Sequence, residues 1–132
     1  MIGIRAIGTH VPPKGHDVLD RCAEFGLDPA FVRDKTGFLH TARKGAESET
    51  SDLALAAVED LRVRLGGDLG AVDCLAVCTQ TPDRRGIPHT SAILHGVLGL
   101  DPGVAAFDIG LACSGYVYGL AIMKSFMEAQ GL

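Results

Sequence analysis

Apolar residues recur along this chain with two periods, and the places where the period changes mark its elements. Ile2, Ile4 and Ala6 alternate with smaller or polar residues up to Thr9, a strand pattern that Pro12-Pro13 ends. This segment is expected to be the first strand of a sheet. Val18, Leu19, Cys22 and Phe25 then fall at helical spacing, with Asp17 placed to cap a short helix and Gly26 to stop it. A second helix is expected from the cap Asp28, with Pro29 at the first helical position, to the stop at Gly37. Residues 41–50 have charge and small polar groups but no apolar period, which predicts an exposed loop. Thr50 or Ser51 opens a longer helix, whose stripe of Leu53, Ala54, Ala57, Val58, Leu61 and Leu65 is expected to pack on a sheet before Gly66-Gly67 ends it.

Cys74-Leu75-Ala76-Val77-Cys78 is a continuous apolar run of strand length, as expected of a central strand covered on both sides in a parallel sheet. Two prolines, Arg84-Arg85 and a glycine make Thr79 to Pro88 a loop at the end of that strand, where α/β proteins place ligand contacts. A short helix from Thr90 closes at Gly99, and Asp101-Pro102-Gly103 turns the chain into a strand over Val104 to Ile109. The last helix, Ser114 to about Ala129, is apolar nearly all round for its first turns, which predicts burial between layers until Lys124 and Glu128. Strand, helices, strand, helix, strand, helix is an α/β order with a mainly parallel sheet and right-handed crossovers.

Composition narrows the class. With 132 residues, 47% of them hydrophobic and 21% charged, the chain has the size and core of one domain. A net charge of -4 and dispersed arginines argue against nucleic acid as a partner. No apolar run approaches the roughly 20 residues that span a bilayer, and the first residues lack the regions of a signal peptide, so a soluble cytoplasmic protein without membrane contact is expected. The four cysteines, at 22, 74, 78 and 113, lie in hydrophobic segments and are expected to be reduced thiols. Cys74 and Cys78 would share one strand face about 13 Å apart, too far for a common metal or a disulfide, which favours core packing. No metal site is expected, and the lack of a Cys-x-x-Cys motif counts against a redox role.

Cys113 stands between a strand and a helix that is expected to open at it. In a first helical turn, free N–H groups and the positive end of the macrodipole favour a thiolate, the nucleophilic form. A small buried hydrophobe is the other reading of the same thiol, and the local pattern leaves the two level.

The run Phe107-Asp108-Ile109 through Ala112-Cys113-Ser114-Gly115-Tyr116-Val117-Tyr118-Gly119-Leu120 resembles the nucleophile region of the thiolase superfamily, most closely the β-ketoacyl-acyl carrier protein synthase III type. Lys35-Thr36-Gly37-Phe38 resembles that family's Arg-Thr-Gly-Ile, Thr79-Gln80-Thr81-Pro82-Asp83 the segment after its second strand, and Ile87-Pro88 the Phe-Pro that follows. The resemblance implies an incomplete N-terminal thiolase-like domain over residues 1–132. It implies an acyltransferase in which Cys113 takes an acyl group from acyl-CoA, before decarboxylative condensation with malonyl-acyl carrier protein or malonyl-CoA in fatty-acid or related biosynthesis. Acyl-CoA enters as substrate, with no separate cofactor.

By the same resemblance Phe31, Lys35 and Thr36 are expected at the CoA site, and Ile87 and Pro88 at the acyl pocket or dimer contact. Phe31 and Lys35 stand where the family has tryptophan and arginine, with less stacking area and no bidentate fork. Phe31 can equally pack its helix onto the domain, and Ile87 can be a loop anchor. His10, His16, His40, His89 and His95 match no family catalytic position and read as surface or cap residues, His89 with some claim to ligand contact. The family's catalytic histidine and asparagine belong to a second half. This chain is therefore expected to be a truncated product or one subunit of a split enzyme, inactive alone, fragile or self-associating, and served by a missing C-terminal half or complementary subunit. A homodimer with subunit contact near Val104 to Ile109 is expected too. The alternative is a non-catalytic dimerising or interaction domain derived from that fold.

Overall fold

The computed structural model describes residues 2–69 and 71–132, with elements in the order β1 (Gly15–Asp17), α1 (Pro29–Phe31), β2 (His40–Ala42), α2 (Thr50–Arg64), β3 (Cys74–Cys78), α3 (Thr90–Leu98), β4 (Ala105–Ile109) and α4 (Gly115–Gln130). They fall into two units, Val11–Ser48 and Met1–His10 with Glu49–Leu132.

In the smaller unit, Asp28 Oδ1 accepts a 2.9 Å hydrogen bond from the Ala30 N–H, Pro29 opens α1, and the chain winds on through a wider turn over Val32–Thr36. Gly37 ends it at φ 69°, in the left-handed region where a glycine carries no steric penalty. These are the cap and stop expected. Of the helix expected after Asp17, one tight turn forms at Leu19–Arg21, where Asp17 Oδ1 accepts from the Leu19 N–H at 2.8 Å. Unforeseen is the antiparallel ribbon of β1 and β2, in register Gly15↔Ala42, His16↔Thr41 and Asp17↔His40, which takes Thr41 and Ala42 out of the expected loop. Such short strands show no apolar alternation. They are held by backbone bonds that continue past them, Val18 N to Leu39 O at 2.9 Å and Arg43 N to Lys14 O at 2.8 Å.

In the larger unit β3 and β4 pair in parallel from Cys74↔Ala105 to Cys78↔Ile109, the sheet that the apolar runs predict. Strand side chains alternate faces, and contacts sort them accordingly. Cys74 lies with Met123 and Met127 of α4, Phe107 meets Phe126 at 6.4 Å between ring centres, and Ile109 Cδ1 would lie 3.7 Å from a Cβ on Gly119. Leu75, on the other face, lines an apolar cavity of about 210 Å³ with Leu61 and Leu65 of α2 and Leu98 of α3.

Two expectations fail on the ends of this chain. Residues 2–9 form no strand, because the segment runs beside α2 instead of pairing: a Cβ on Gly8 would overlap the Ala57 carbonyl and fall 2.6 Å from Leu61 Cβ, and the Thr9 N–H donates to Asp60 Oδ2 at 2.8 Å. Nor is α4 buried between layers. Gly115, Gly119, Met123, Phe126 and Met127 make one covered stripe toward the sheet, while Tyr116, Val117, Tyr118, Leu120 and Ile122 are exposed. The sheet covers one side of the helix and leaves the opposite side open to solvent. Cys78 is likewise exposed rather than core-packed.

Two carboxylates tie these elements together. The Asp108 carboxylate, from β4, accepts the Thr90 and Ser91 N–H groups at 2.9 and 2.8 Å, so α3 is capped across the fold, where His89 at its own cap position makes no side-chain bond. Asp83, 2% exposed, accepts from Ser51 N–H at 3.1 Å and Ser51 Oγ at 2.5 Å in the first turn of α2, and from Thr90 Oγ1 at 3.3 Å. At its start α2 is capped not by Thr50 or Ser51 but by a reciprocal box between Glu49 and Asp52, with Glu49 N–H donating to Asp52 Oδ2 at 2.8 Å. Partial burial pushes the Asp108 carboxyl up, but the hydrogen bonds from Ser91 and Thr90 and the nearby His89 outweigh it and leave it below the usual range.

Three predictions follow from this packing. Gly8→Ala should destabilise the chain by about 1–3 kcal/mol in denaturant unfolding, since the backbone of α2 cannot yield to a methyl group. Gly115→Ala, whose Cβ would overlap the Cys78 thiol, should cost stability that the double variant with Cys78→Ala recovers, a coupling read from a double-mutant cycle. Asp108→Asn should be less stable than wild type at neutral pH. Because the folded carboxyl sits below its unfolded value near 3.9, that gap is complete above about pH 4 and closes as pH falls through the folded value.

Candidate functional site

Three of the expected site residues, Ile87, Pro88 and Cys113, lie on segments that leave the sheet at one end. Both strands run in parallel, so the segments after Cys78 and after Ile109 emerge from neighbouring C-terminal edges, and Thr79 N–H still donates to Ile109 O at 3.2 Å beyond the last strand pair. One segment carries Ile87 and Pro88, the other Cys113.

After β4 the chain turns through Gly110, Leu111 and Ala112, and Cys113 stands one residue before Ser114, the N-cap of α4. The helix therefore opens two residues after the cysteine, not at it. A tight turn joins them: Gly115 N–H donates to Ala112 O at 3.0 Å, and Tyr118 N–H to Ser114 O at 3.0 Å begins the helical ladder. Cys113 is exposed, facing solvent ahead of the first-turn N–H groups of a 16-residue helix. Such N–H groups have no carbonyl in a preceding turn, and the dipole is positive there, so an anion at this end is stabilised. The other thiols differ. Cys22 is buried with its Sγ 3.5 Å from Val18 O, burial pushes the Cys74 thiol up, and Cys78, though exposed too, ends β3 against Gly115 of α4 instead of opening a helix. The alternative of Cys113 as a small core hydrophobe does not hold.

The loop from Thr79 to Pro88 is anchored at its middle. Asp83 fastens it to α2 and α3, and Thr50 Oγ1 donates to Thr81 O at 2.5 Å. Arg84 and Arg85 follow at φ 47° and 65°, a conformation that costs non-glycine residues about 1–2 kcal/mol each and persists where surrounding contacts over-determine it. Ile87, joined to Pro88 by a cis peptide, is 85% exposed and so does not anchor the loop. That work falls to Asp83, which sequence reasoning did not single out. The sign of it was a carboxylate between a proline and two arginines, shortly before a helix whose start lacks a capping side chain. Asp108 was missed as well, although a lone charge inside an apolar strand must find donors.

Phe31, Lys35 and Thr36 lie in the smaller unit on one continuous helical stretch. Val32, 1% exposed, packs that stretch, leaving half of Phe31 open to solvent, so Phe31 is not its anchor. Lys35 is exposed, and Thr36 Oγ1 donates to Val32 O at 2.8 Å, keeping its lone pairs for a ligand. Among the described residues no cluster of three or more His, Cys, Asp or Glu could hold a metal, and no helix is long and apolar enough to cross a membrane.

No protein-family model matches the chain. Curated relatives include β-ketoacyl-[acyl-carrier-protein] synthase III of Rhodospirillum rubrum, 38% identical over 128 residues, and that of Deinococcus deserti, 36% identical over 129. These alignments take in 96% and 97% of this chain but only 39% and 36% of the relatives. Among solved structures, the synthase III of Thermus thermophilus superposes with a TM-score of 0.87 at 34% identity, over 98% of this chain and 39% of that one. MvaS in complex with 3-hydroxy-3-methylglutaryl coenzyme A superposes at 0.85 with 26% identity, over 98% and 31%. In sequence over nearly its whole length and in its α/β thiolase-like backbone, the chain is β-ketoacyl-[acyl-carrier-protein] synthase III-like, matching about two fifths of the length of the curated relatives.

Proposed function

We propose that this chain carries the acyl-accepting nucleophile of a β-ketoacyl-acyl carrier protein synthase III-type acyltransferase, with Cys113 as the acceptor. The observation that carries the reading is an exposed thiol at the C-terminal edge of a parallel sheet, just ahead of α4, on a chain whose curated relatives bear that name. The Cys113 thiolate attacks the thioester carbonyl of an acyl-CoA. The resulting oxyanion is held by backbone N–H groups around the turn, and it collapses with loss of the CoA thiolate to leave an acyl-cysteine. A malonyl thioester, on acyl carrier protein or CoA, then loses CO2. Its carbanion attacks the acyl-cysteine carbonyl and expels the Cys113 thiolate, giving a β-ketoacyl thioester.

In this reading Ile87 and Pro88 border the acyl chain or a second subunit of a homodimer. Phe31, Lys35 and Thr36 meet the CoA, with Phe31 stacking and Lys35 neutralising phosphate. Carbanion stabilisation and protonation draw on a histidine and asparagine outside the matched residues, so the 132-residue chain by itself is inactive in condensation. The exposed row of Tyr116, Val117, Tyr118, Leu120 and Ile122 favours a second reading, an interaction domain whose chemistry has lapsed.

Acyl loading separates the two. With the C-terminal remainder of the Rhodospirillum rubrum relative supplied, incubation with acetyl-CoA should add one acetyl mass to a peptide containing Cys113, and Cys113→Ala should abolish it. Absence of an adduct, or one that survives Cys113→Ala, would refute the acyltransferase reading and leave the interaction domain.

A further inference from the structure

The smaller unit holds a cleft of about 660 Å³ along the β1–β2 ribbon, within the 300–1,000 Å³ or so typical of small-molecule sites. Its chemistry is one-sided. Lys14, His16, His40, Arg43 and Lys44 line it, and no carboxylate does, although the chain as a whole has sixteen Asp and Glu against twelve Lys and Arg. Among the described residues the ion pairs engage Arg21, Arg62, Arg64 and Lys124, and none of the five cleft groups. The three charged groups among them, Lys14, Arg43 and Lys44, repel one another unless an anion joins them.

The cleft is also organised in advance. Arg43 is fixed at its backbone by the 2.8 Å bond to Lys14 O, and its Nη1 donates to His16 Nε2 at 3.2 Å, which holds the guanidinium over the ribbon. Lys44 Nζ is steadied by the Ser48 carbonyl. The floor is Gly15, where a Cβ would overlap the Thr41 carbonyl and fall 2.6 Å from His40 Nε2, so the absent side chain is what lets the imidazole close over the strand. A planar fork that shares a cleft with two ammonium groups matches the oxygens of a phosphate better than a single carboxylate.

We propose that this cleft binds a phosphate-bearing small molecule, with Arg43 as the central contact and Lys14 and Lys44 on either side. The proposal stands on the smaller unit alone and does not depend on the chemistry of Cys113. Pyrophosphate and adenosine 3′,5′-bisphosphate are suitable probes, titrated calorimetrically into the full chain at low and at moderate salt. Both should bind saturably. Arg43→Ala, and the double variant Lys14→Ala with Lys44→Ala, should each weaken binding about tenfold or more, whereas Arg33→Ala, an exposed cation of the same unit outside the cleft, should leave it unchanged. Far-ultraviolet circular dichroism superimposable on wild type would establish that these exposed substitutions leave the fold intact. Tighter binding of the adenosine compound would assign the site to a nucleotide, and equal binding to the phosphate groups alone. Failure of both probes to saturate, an equal loss in Arg33→Ala, or capture of an acidic protein without either probe would overturn the proposal.

Discussion

Helix α3 starts on a carboxylate that belongs to another element, and much of the larger unit follows from that. The Asp108 side chain takes the Thr90 and Ser91 N–H groups, so the helix start is set by β4 rather than by its own cap residue. One step away, Asp83 joins the loop after β3 to the first turn of α2 and to Thr90. Carboxylates at helix N-termini are favourable twice over, satisfying orphan donors and meeting the positive end of the dipole. Asp83 is buried and Asp108 half-buried, so both would be costly without those donors, and each fixes the other elements' positions. The segments after β3 and β4, which carry Ile87 and Cys113, leave from strands held in this way.

On the opposite face the control is steric. Gly115 and Gly119 lie one helical turn apart on the face α4 turns to the sheet, beside Cys78 and Ile109, and farther along Phe126 and Met123 reach the other end of the strands. Small residues at the start of the helix and large ones toward its end set how closely α4 approaches. The same register puts Cys113 in the turn just before the helix, with its thiol in solvent. The placement of this thiol is thus a by-product of packing: the strand length and the approach of α4 leave a turn of a few residues in which the cysteine is neither strand nor helix.

The smaller unit has little apolar burial to organise it, Cys22 and Val32 being its buried hydrophobic residues. Backbone bonds of a short ribbon and local caps take that role, and the ribbon brings together basic side chains that are scattered in the linear chain, Lys14 and His16 on one side, His40, Arg43 and Lys44 on the other. A net negative chain can therefore present a positive cleft, which no overall charge balance reveals.

Sequence alone determined what local interactions decide. The apolar run Cys74–Cys78, the stop at Gly99, and the cap and stop at Asp28-Pro29 and Gly37 were legible because a strand's burial, a cap's side-chain oxygen and a left-handed glycine act within a few residues. The resemblance around Cys113 was legible for the same reason, as a contiguous run. Only the tertiary structure decided matters that depend on which distant segment arrives: that residues 2–9 lie along α2 instead of in a sheet, that His40–Ala42 finds β1, that α4 is covered on one face, and that Asp83 and Asp108, from a loop and a strand, serve the starts of helices elsewhere in the chain. Apolar pattern records how much burial a segment can use, whereas pairing, capping across the fold and exposure of a thiol are set by partners far away in the chain, whose identity periodicity does not encode.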